Sequence, residues 1–241
     1  MAENELIAQR KGKLQALMDR GINPYVISRF PRQDIESCLS QFQEDKKVTV
    51  AGRLIQRRLH GKAAFADIKD SSAKIQLYFT QDTLGEEQFK NFKNNIDIAD
   101  ILGVKGELFK TKTGQPTLRV LQFFLLAKAI RPLPEKWHGL KDVETRYRQR
   151  YLDLIANSEV GKTFILRSRV ISCLRRFLDE RGYLEVETPM MHIVPGGASG
   201  RPFKTHHNEY DMDLYLRIAP ELYLKRLLIG GFDKVYEVNR S

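Results

Sequence analysis

From Val48 onward the apolar residues recur at every second position, and this period constrains the backbone to strands more tightly than any other feature of the chain. VTVAGRLIQRR begins at Val48, AAFADIKD at Ala63 and AKIQLYF at Ala73, each a short alternation that buries one face of a strand. His60-Gly61-Lys62 and Asp70-Ser71-Ser72 separate them with turn residues, so three strands follow one another as a meander. A helical segment is expected over 85–94. Two further strands are expected near Ile101–Lys110 and Pro116–Ala127, joined by the turn Thr111-Lys112-Thr113-Gly114.

Five strands with a helix between the third and fourth is the order of an OB-fold barrel, which binds oligonucleotides on its strand 2 and 3 face. The charge points the same way. The 241-residue chain has a formal net charge of +10, and residues 46–130 hold fifteen Lys and Arg against eight Asp and Glu, a net +7. A basic surplus gathered in one region suits a surface that tracks phosphates.

On either side of the barrel the period changes to that of a helix. Residues 3–20 place Leu6, Ile7, Leu14, Leu17 and Met18 at helical spacing before Gly21 and Pro24, a helix that either touches nucleic acid or docks on its neighbour. Pro132 and Pro134 make a stiff connection, after which KDVETRYRQRYLDLIAN resumes a charged helical pattern. The helix expected over Lys162–Glu180 gathers Ile165, Val170, Ile171, Leu174, Phe177 and Leu178 on one side, with Cys173 beside them as a small core residue. With 42% hydrophobic and 29% charged residues, the composition is that of a soluble globular protein of two modest domains. Cys38 and Cys173 have neither disulfide-framework nor zinc spacing, which suits a reducing cytoplasm. No run approaches a membrane span and the N-terminus lacks an apolar signal core, so a cytosolic protein with no membrane partner is expected.

Three places can carry chemistry. On the barrel, Phe65 and Gln76 fall on the second and third strands, and Arg57 and Arg58 end the first, all expected within reach of one face. An aromatic ring, an amide and a cationic rim are what an unpaired base needs for stacking and edge recognition, although a core role for Phe65 remains equally open on composition alone. The loop VPGGASGRPF, 194–203, is small enough at Gly196, Gly197, Ala198 and Ser199 for backbone to approach a ligand, but lacks phosphate-loop spacing. His206 and His207 are adjacent on a strand and would face opposite ways, so they do not suit a shared metal. Glu221 opens a helix entered by Pro220 and left by Gly230 and Gly231; its carboxylate serves the helix dipole or receives a substrate ammonium. RGYLEVETPMM, from Arg181, places Gly182 where a helix stops, a strand through Leu184 and Val186, and Pro189 at its edge.

Taken in order, these pieces resemble the class II aminoacyl-tRNA synthetases of the aspartate, asparagine and lysine subgroup, and most closely the lysyl-tRNA synthetases of bacterial type. VAGRLIQRRLHGKAAFADIKD with IQLYF is similar to the anticodon-binding barrel, RPLPEKWHGLKDVETRYRQRYLDLI to the hinge and following helix, and RGYLEVETPMM to motif 1. PGGASGRPF and LRIAPELYLKRLLIGGFDKVYEVNR are similar to the lysine-type pocket. The resemblance implies an α+β chain: a helical extension over 1–45, a five-stranded OB-fold barrel over 46–131, a hinge and helix over 132–160, and over 161–241 the first part of an antiparallel-sheet catalytic domain. It implies that Arg58, Phe65 and Gln76 read the central uridine of the lysine anticodon, that Gly197 and Glu221 hold the amino group of lysine, and that Gly182 and Pro189 belong to motif 1 at a homodimer interface. Aspartyl and asparaginyl relatives typically carry glutamine where Glu221 stands, so a cationic substrate is favoured.

The implied activity is that of a lysine-tRNA ligase, with ATP as co-substrate, magnesium ions in the complete enzyme, and lysine and tRNA-Lys as partners. The alternative is a non-catalytic tRNA-binding or dimerising module of the same descent. The family continues after VYEVNR with Phe-Arg-x-Glu, and its motif 3 and magnesium carboxylates follow later; the chain reads as an N-terminal portion ending before the core of motif 2. No residue here is therefore assigned a catalytic or metal-binding role, and Arg240 precedes the catalytic arginine. The isolated chain is expected to give no lysine-dependent pyrophosphate exchange with ATP; turnover in that assay would contradict the expectation.

Overall fold

The computed structural model describes residues 5–26, 29–133 and 140–241. Pro134, part of the expected stiff connection, and the first residues of the expected N-terminal helix lie outside them. The chain divides into two units, 1–152 and 153–241.

In the first unit, strands β1 (Lys47–His60), β2 (Ala63–Lys69), β3 (Lys74–Thr80), β4 (Ile101–Lys110) and β5 (Pro116–Ala127) close into a barrel of order β1-β2-β3-β5-β4. Closure comes from β1, whose 14 residues pair with β4 through the first half and β2 through the second. The pairing is antiparallel throughout except between β3 and β5, which run parallel. The alternation in sequence becomes the two sides of the wall. Ala64, Ala66 and Ile68 on β2 and Ile75, Leu77 and Phe79 on β3 point into the core, where Leu54, Val104, Leu118 and Val120 meet them. Gly106 on β4 faces a bulge in β5 at Leu121, where a side-chain carbon on Gly106 would come within 2.2 Å of the Arg119 carbonyl oxygen.

Helices α1 (Glu5–Met18), α2 (Ile35–Ser40), α3 (Gln81–Leu84) and α4 (Glu86–Asn95) surround the barrel. The α4 helix plugs it: Phe89 and Phe92 are buried, and the Phe92 ring stacks on Phe79 at 3.8 Å between centroids. Each such phenyl ring contributes about 1.5–3 kcal/mol by leaving water. Of the five apolar residues spaced along the first helix, only Leu17 is buried. Lys13 from that helix reaches Asp97, which together with Asp100 also receives the buried Lys128.

The sequence gives little warning of α2, because its stability is tertiary. Asp34 at its N-cap makes no capping bond; Asp70, in the turn between β2 and β3, accepts from the Ile35 N–H at 3.0 Å instead, and Ser72 accepts from that of Glu36. Burial pushes the Asp70 carboxyl up, but hydrogen bonds from Ser72, Ala73 and Ile35 outweigh it and hold the group below the usual carboxylate range.

Helices α5 (Val143–Arg148) and α6 (Arg150–Ala156) follow, and α6 carries the boundary between the units. The second unit begins with the long helix α7 (Ser158–Asp179), continues through β6 (Leu184–Glu185), β7 (Met191–His192), β8 (Lys204–His207), β9 (Met212–Leu216) and α8 (Glu221–Ile229), and ends with β10 (Val235–Tyr236). β6 and β10 pair in parallel, and β7-β9-β8 form an antiparallel sheet. At the end of α7, Gly182 adopts φ +76° and Tyr183 donates back to the Leu178 carbonyl, a left-handed helix stop. Tyr236 donates to Asp179 at 2.9 Å; burial and that carboxylate push its phenol up to about 12.

One expectation fails here. Cys173 is exposed, not a core residue. The apolar stripe of α7 is correctly read from the helical period, yet Ile165, Val170, Leu174 and Phe177 all remain exposed and no residue of the helix is buried among the described residues. A period reports which face is apolar; it does not supply what covers it.

The tertiary cap on α2 predicts a pH dependence. Because its folded pKa is depressed, Asp70 contributes stability above the unfolded carboxylate pKa of about 3.9, and that contribution is lost as pH falls through the folded value. Asp70→Asn should cost about 1.5–3 kcal/mol at pH 7 in urea unfolding and much less at pH 3; equal stability at pH 7 would remove Asp70 as the cap.

Candidate functional site

The outer wall of the barrel over β2 and β3 is ordered into two cross-strand rows. Arg58 pairs with Phe65, Phe65 with Tyr78, and Tyr78 with Arg119, so cation, ring, ring and cation lie side by side. One step along the strands, Gln56 pairs with Asp67, Asp67 with Gln76, and Gln76 with Thr117. The first row is aromatic and open. The second is polar and, from Asp67 to Thr117, buried.

Above these rows lies a cavity of about 560 Å³, lined by Arg58, His60, Phe65, Gln76, Tyr78 and Phe109 together with the Thr111–Gln115 turn. Phe65 is half-buried and lies outside the core cluster; its ring sits 4.9 Å from Tyr78, which sits 5.9 Å from Phe109. Arg119 rests its guanidinium 5.0 Å above the Phe109 ring. Tilted rings at these separations leave an open aromatic face for a third planar group. Gln76 is buried but still lines the cavity, and its Oε1 accepts from the Thr117 hydroxyl at 3.0 Å. Arg58 is exposed at the rim.

Arg57, expected beside Arg58, is on the other side of the strand. Successive strand residues face opposite ways, and the Arg57 guanidinium donates to the carbonyls of Phe92, Lys93 and Ile96 at the end of α4. It caps a helix. Tyr78 and Phe109 are cavity-lining residues that sequence reasoning missed. Tyr78 was within reach of the period, two residues beyond Gln76, whereas Phe109 arrives only through β4-β5 pairing.

In the second unit, the glycine-rich loop and the start of α8 meet. Gly197 adopts φ +90°, and a side-chain carbon there would stand 3.2 Å from the Glu221 Cβ and 3.3 Å from that of Ala219. Only glycine suits both the backbone and the space. Glu221 is the first residue of α8, where the helix dipole favours a carboxylate, and it accepts from Lys225 one turn on. That pair is exposed, so it leaves the carboxylate available to another cation at small cost. Nearby, Arg217 reaches Glu237 at 2.6 Å, both nearly buried, and Thr188 donates to the same carboxylate at 2.7 Å. Pro189 is exposed, with its carbonyl 3.0 Å from the His192 ring. His206 lies 3.2 Å from Asp213 while the His207 ring turns to Tyr210.

Residues 48–126 match the family of OB-fold nucleic acid binding domains, and residues 142–241 match the class II tRNA synthetases of the D, K and N group. The chain is 57% identical to a lysine-tRNA ligase of Carboxydothermus hydrogenoformans over 99% of its length and 49% of that protein's. It is 54% identical to those of Thermoanaerobacter sp. strain X514 and Magnetococcus marinus, over 98% and 99% of its length and 48% and 49% of theirs. Along nearly its whole length the chain is similar to lysine-tRNA ligases.

It spans about half the length of the curated relatives it matches. The structure brings Arg58, Phe65 and Gln76 to one cavity and Gly197 against Glu221. Gly182 ends a helix, and Pro189 lies on the surface of the second unit. Among the described residues no cluster of three His, Cys, Asp or Glu suits a metal ion, and no helix is long and apolar enough to cross a membrane.

Proposed function

We propose that this chain carries the anticodon-binding and lysine-selecting parts of a lysine-tRNA ligase that activates lysine with ATP and transfers it to tRNA-Lys. The observation that carries the reading is the cavity over β2 and β3, where three aromatic rings stand beside an amide and a guanidinium. An unpaired base stacks on such rings while its edge meets the amide and the cation, which is how single-stranded RNA loops are read. Phe65, Gln76 and Arg58 take those three roles for the central uridine. The net +7 of residues 46–130 supplies the attraction for the phosphates on either side.

Gly197 and Glu221 form the lysine side of the activation site: a loop backbone with no side chain in the way and a carboxylate that accepts from an ammonium. In the activation step a lysine carboxylate oxygen attacks the α-phosphorus of ATP, displacing pyrophosphate and leaving lysyl-adenylate. A terminal tRNA hydroxyl then attacks the acyl carbon and AMP departs. Magnesium offsets phosphate charge in reactions of this kind. The exposed stripe of α7, with Gly182 and Pro189 beyond it, supports a homodimer contact. The functional division follows the barrel: 46–131 for the anticodon, 1–45 and 132–160 as helical extension and hinge, and 161–241 for lysine. The free cysteines Cys38 and Cys173 support a cytoplasmic setting.

Phe65→Ala tests the reading at its centre. Binding of a lysine-anticodon stem-loop, followed by fluorescence anisotropy at fixed salt, should weaken by about 1–3 kcal/mol. Unchanged affinity would mean that no base stacks on Phe65.

A further inference from the structure

In the buried polar row beneath the cavity, Gln76 makes the edge contact described above, whereas Asp67 and Thr117 make no contact with the base. Asp67 is 4% exposed, Gln76 7% and Thr117 0%. Of the three, only Gln76 lines the cavity. Lys74 reaches Asp67 Oδ2 at 3.7 Å, while Asp67 Oδ1 is buried with no hydrogen-bond partner, the one such side-chain atom among the described residues. A buried acceptor left unpaired is costly and calls for a reason.

A glutamine amide presents an acceptor at one end and two donors at the other, and the two ends exchange by a half-turn. Which end faces a ligand decides what the residue can read. Thr117 alone does not decide it: its hydroxyl lies 3.0 Å from Gln76 Oε1 and 3.1 Å from the Gln115 carbonyl, and one proton cannot serve both. A threonine hydroxyl donating to Gln115 would accept from a turned Gln76 amide equally well. Asp67 breaks the tie. Directly across the strand pair from Gln76, its unpartnered carboxylate oxygen repels the amide oxygen and attracts the amide N–H groups in a poorly solvated place.

We propose that Asp67 and Thr117 are positioning residues that hold the Gln76 amide with its oxygen on Thr117 and an N–H presented to a base carbonyl. The proposal rests on the anticodon reading of this cavity. A base with a carbonyl at the contacted edge, as uracil has, is accepted; cytosine, which presents an amino group at the corresponding position, meets donor with donor. Gln56, on the other side of Asp67 in register, is exposed and does not line the cavity.

The test uses the full chain and two anticodon stem-loops that differ only in uridine or cytidine at the central position. The native protein should prefer uridine. Asp67→Asn and Thr117→Val, each near-isosteric, should lower the uridine-to-cytidine affinity ratio by about tenfold, while Thr117→Ser and Gln56→Ala keep it. Phe65→Ala should weaken both stem-loops alike. Asp67→Asn and Thr117→Val with a native ratio would overturn the proposal, as would a Thr117→Ser ratio as low as that of Thr117→Val. Should Phe65→Ala still weaken binding in those cases, the anticodon reading stands without the positioning role. Should the native protein bind neither stem-loop, both fall together. Thermal melts identify any variant that fails to fold, and the Thr117→Ser and Asp67→Asn pair then carries the decision.

Discussion

The antiparallel register between β2 and β3 is the constraint on which the cavity face depends. With Phe65 opposite Tyr78 and Asp67 opposite Gln76, the aromatic and polar rows lie on the outer wall and Ala64, Ala66, Ile75 and Leu77 fill the core. A slip of one residue on either strand would send that strand's rings inward and its aliphatic residues into water. Burial of the inner residues therefore fixes the outer ones. The parallel pairing of β3 with β5 extends the rows to Thr117 and Arg119, and the pairing of β5 with β4 brings in Phe109.

The same wall shows two kinds of polar group treated differently. Arg57 is turned away from the cavity face and donates to the carbonyls that end α4, where a cation favours the helix dipole and fixes the plug formed by Phe89 and Phe92. Arg58, one residue on, stays in solvent and available. In the second unit a comparable economy holds Gly197 against Glu221: the space a side chain would need is taken by the two carbons of α8 and its lead-in, so loop backbone and carboxylate stay adjacent.

Much of this was legible because the signals are local. The five strands announce themselves by a period of two broken at sharp turns, and the observed β4 and β5 keep the expected ends at Ile101, Lys110, Pro116 and Ala127. The helix stop at Gly182 and the start of α8 at Glu221 are likewise written in a few neighbouring residues. What escaped depends on distant partners. The α2 helix rests on Asp70 and Ser72 from another turn, Thr117 and Phe109 reach the cavity through pairings between remote strands, and the exposure of Cys173 follows from what does not cover α7. The placement of Arg57 was the exception, since strand alternation alone would have separated it from Arg58.

The most direct test of the central claim is a map of where RNA touches the barrel. Backbone amide shifts of the labelled chain, followed by NMR during titration with a lysine-anticodon stem-loop, should change most at Arg58, Phe65, Gln76, Tyr78 and Phe109 and in the Thr111–Gln115 turn. Shifts confined to α4, to the far wall of the barrel or to the second unit would contradict the account.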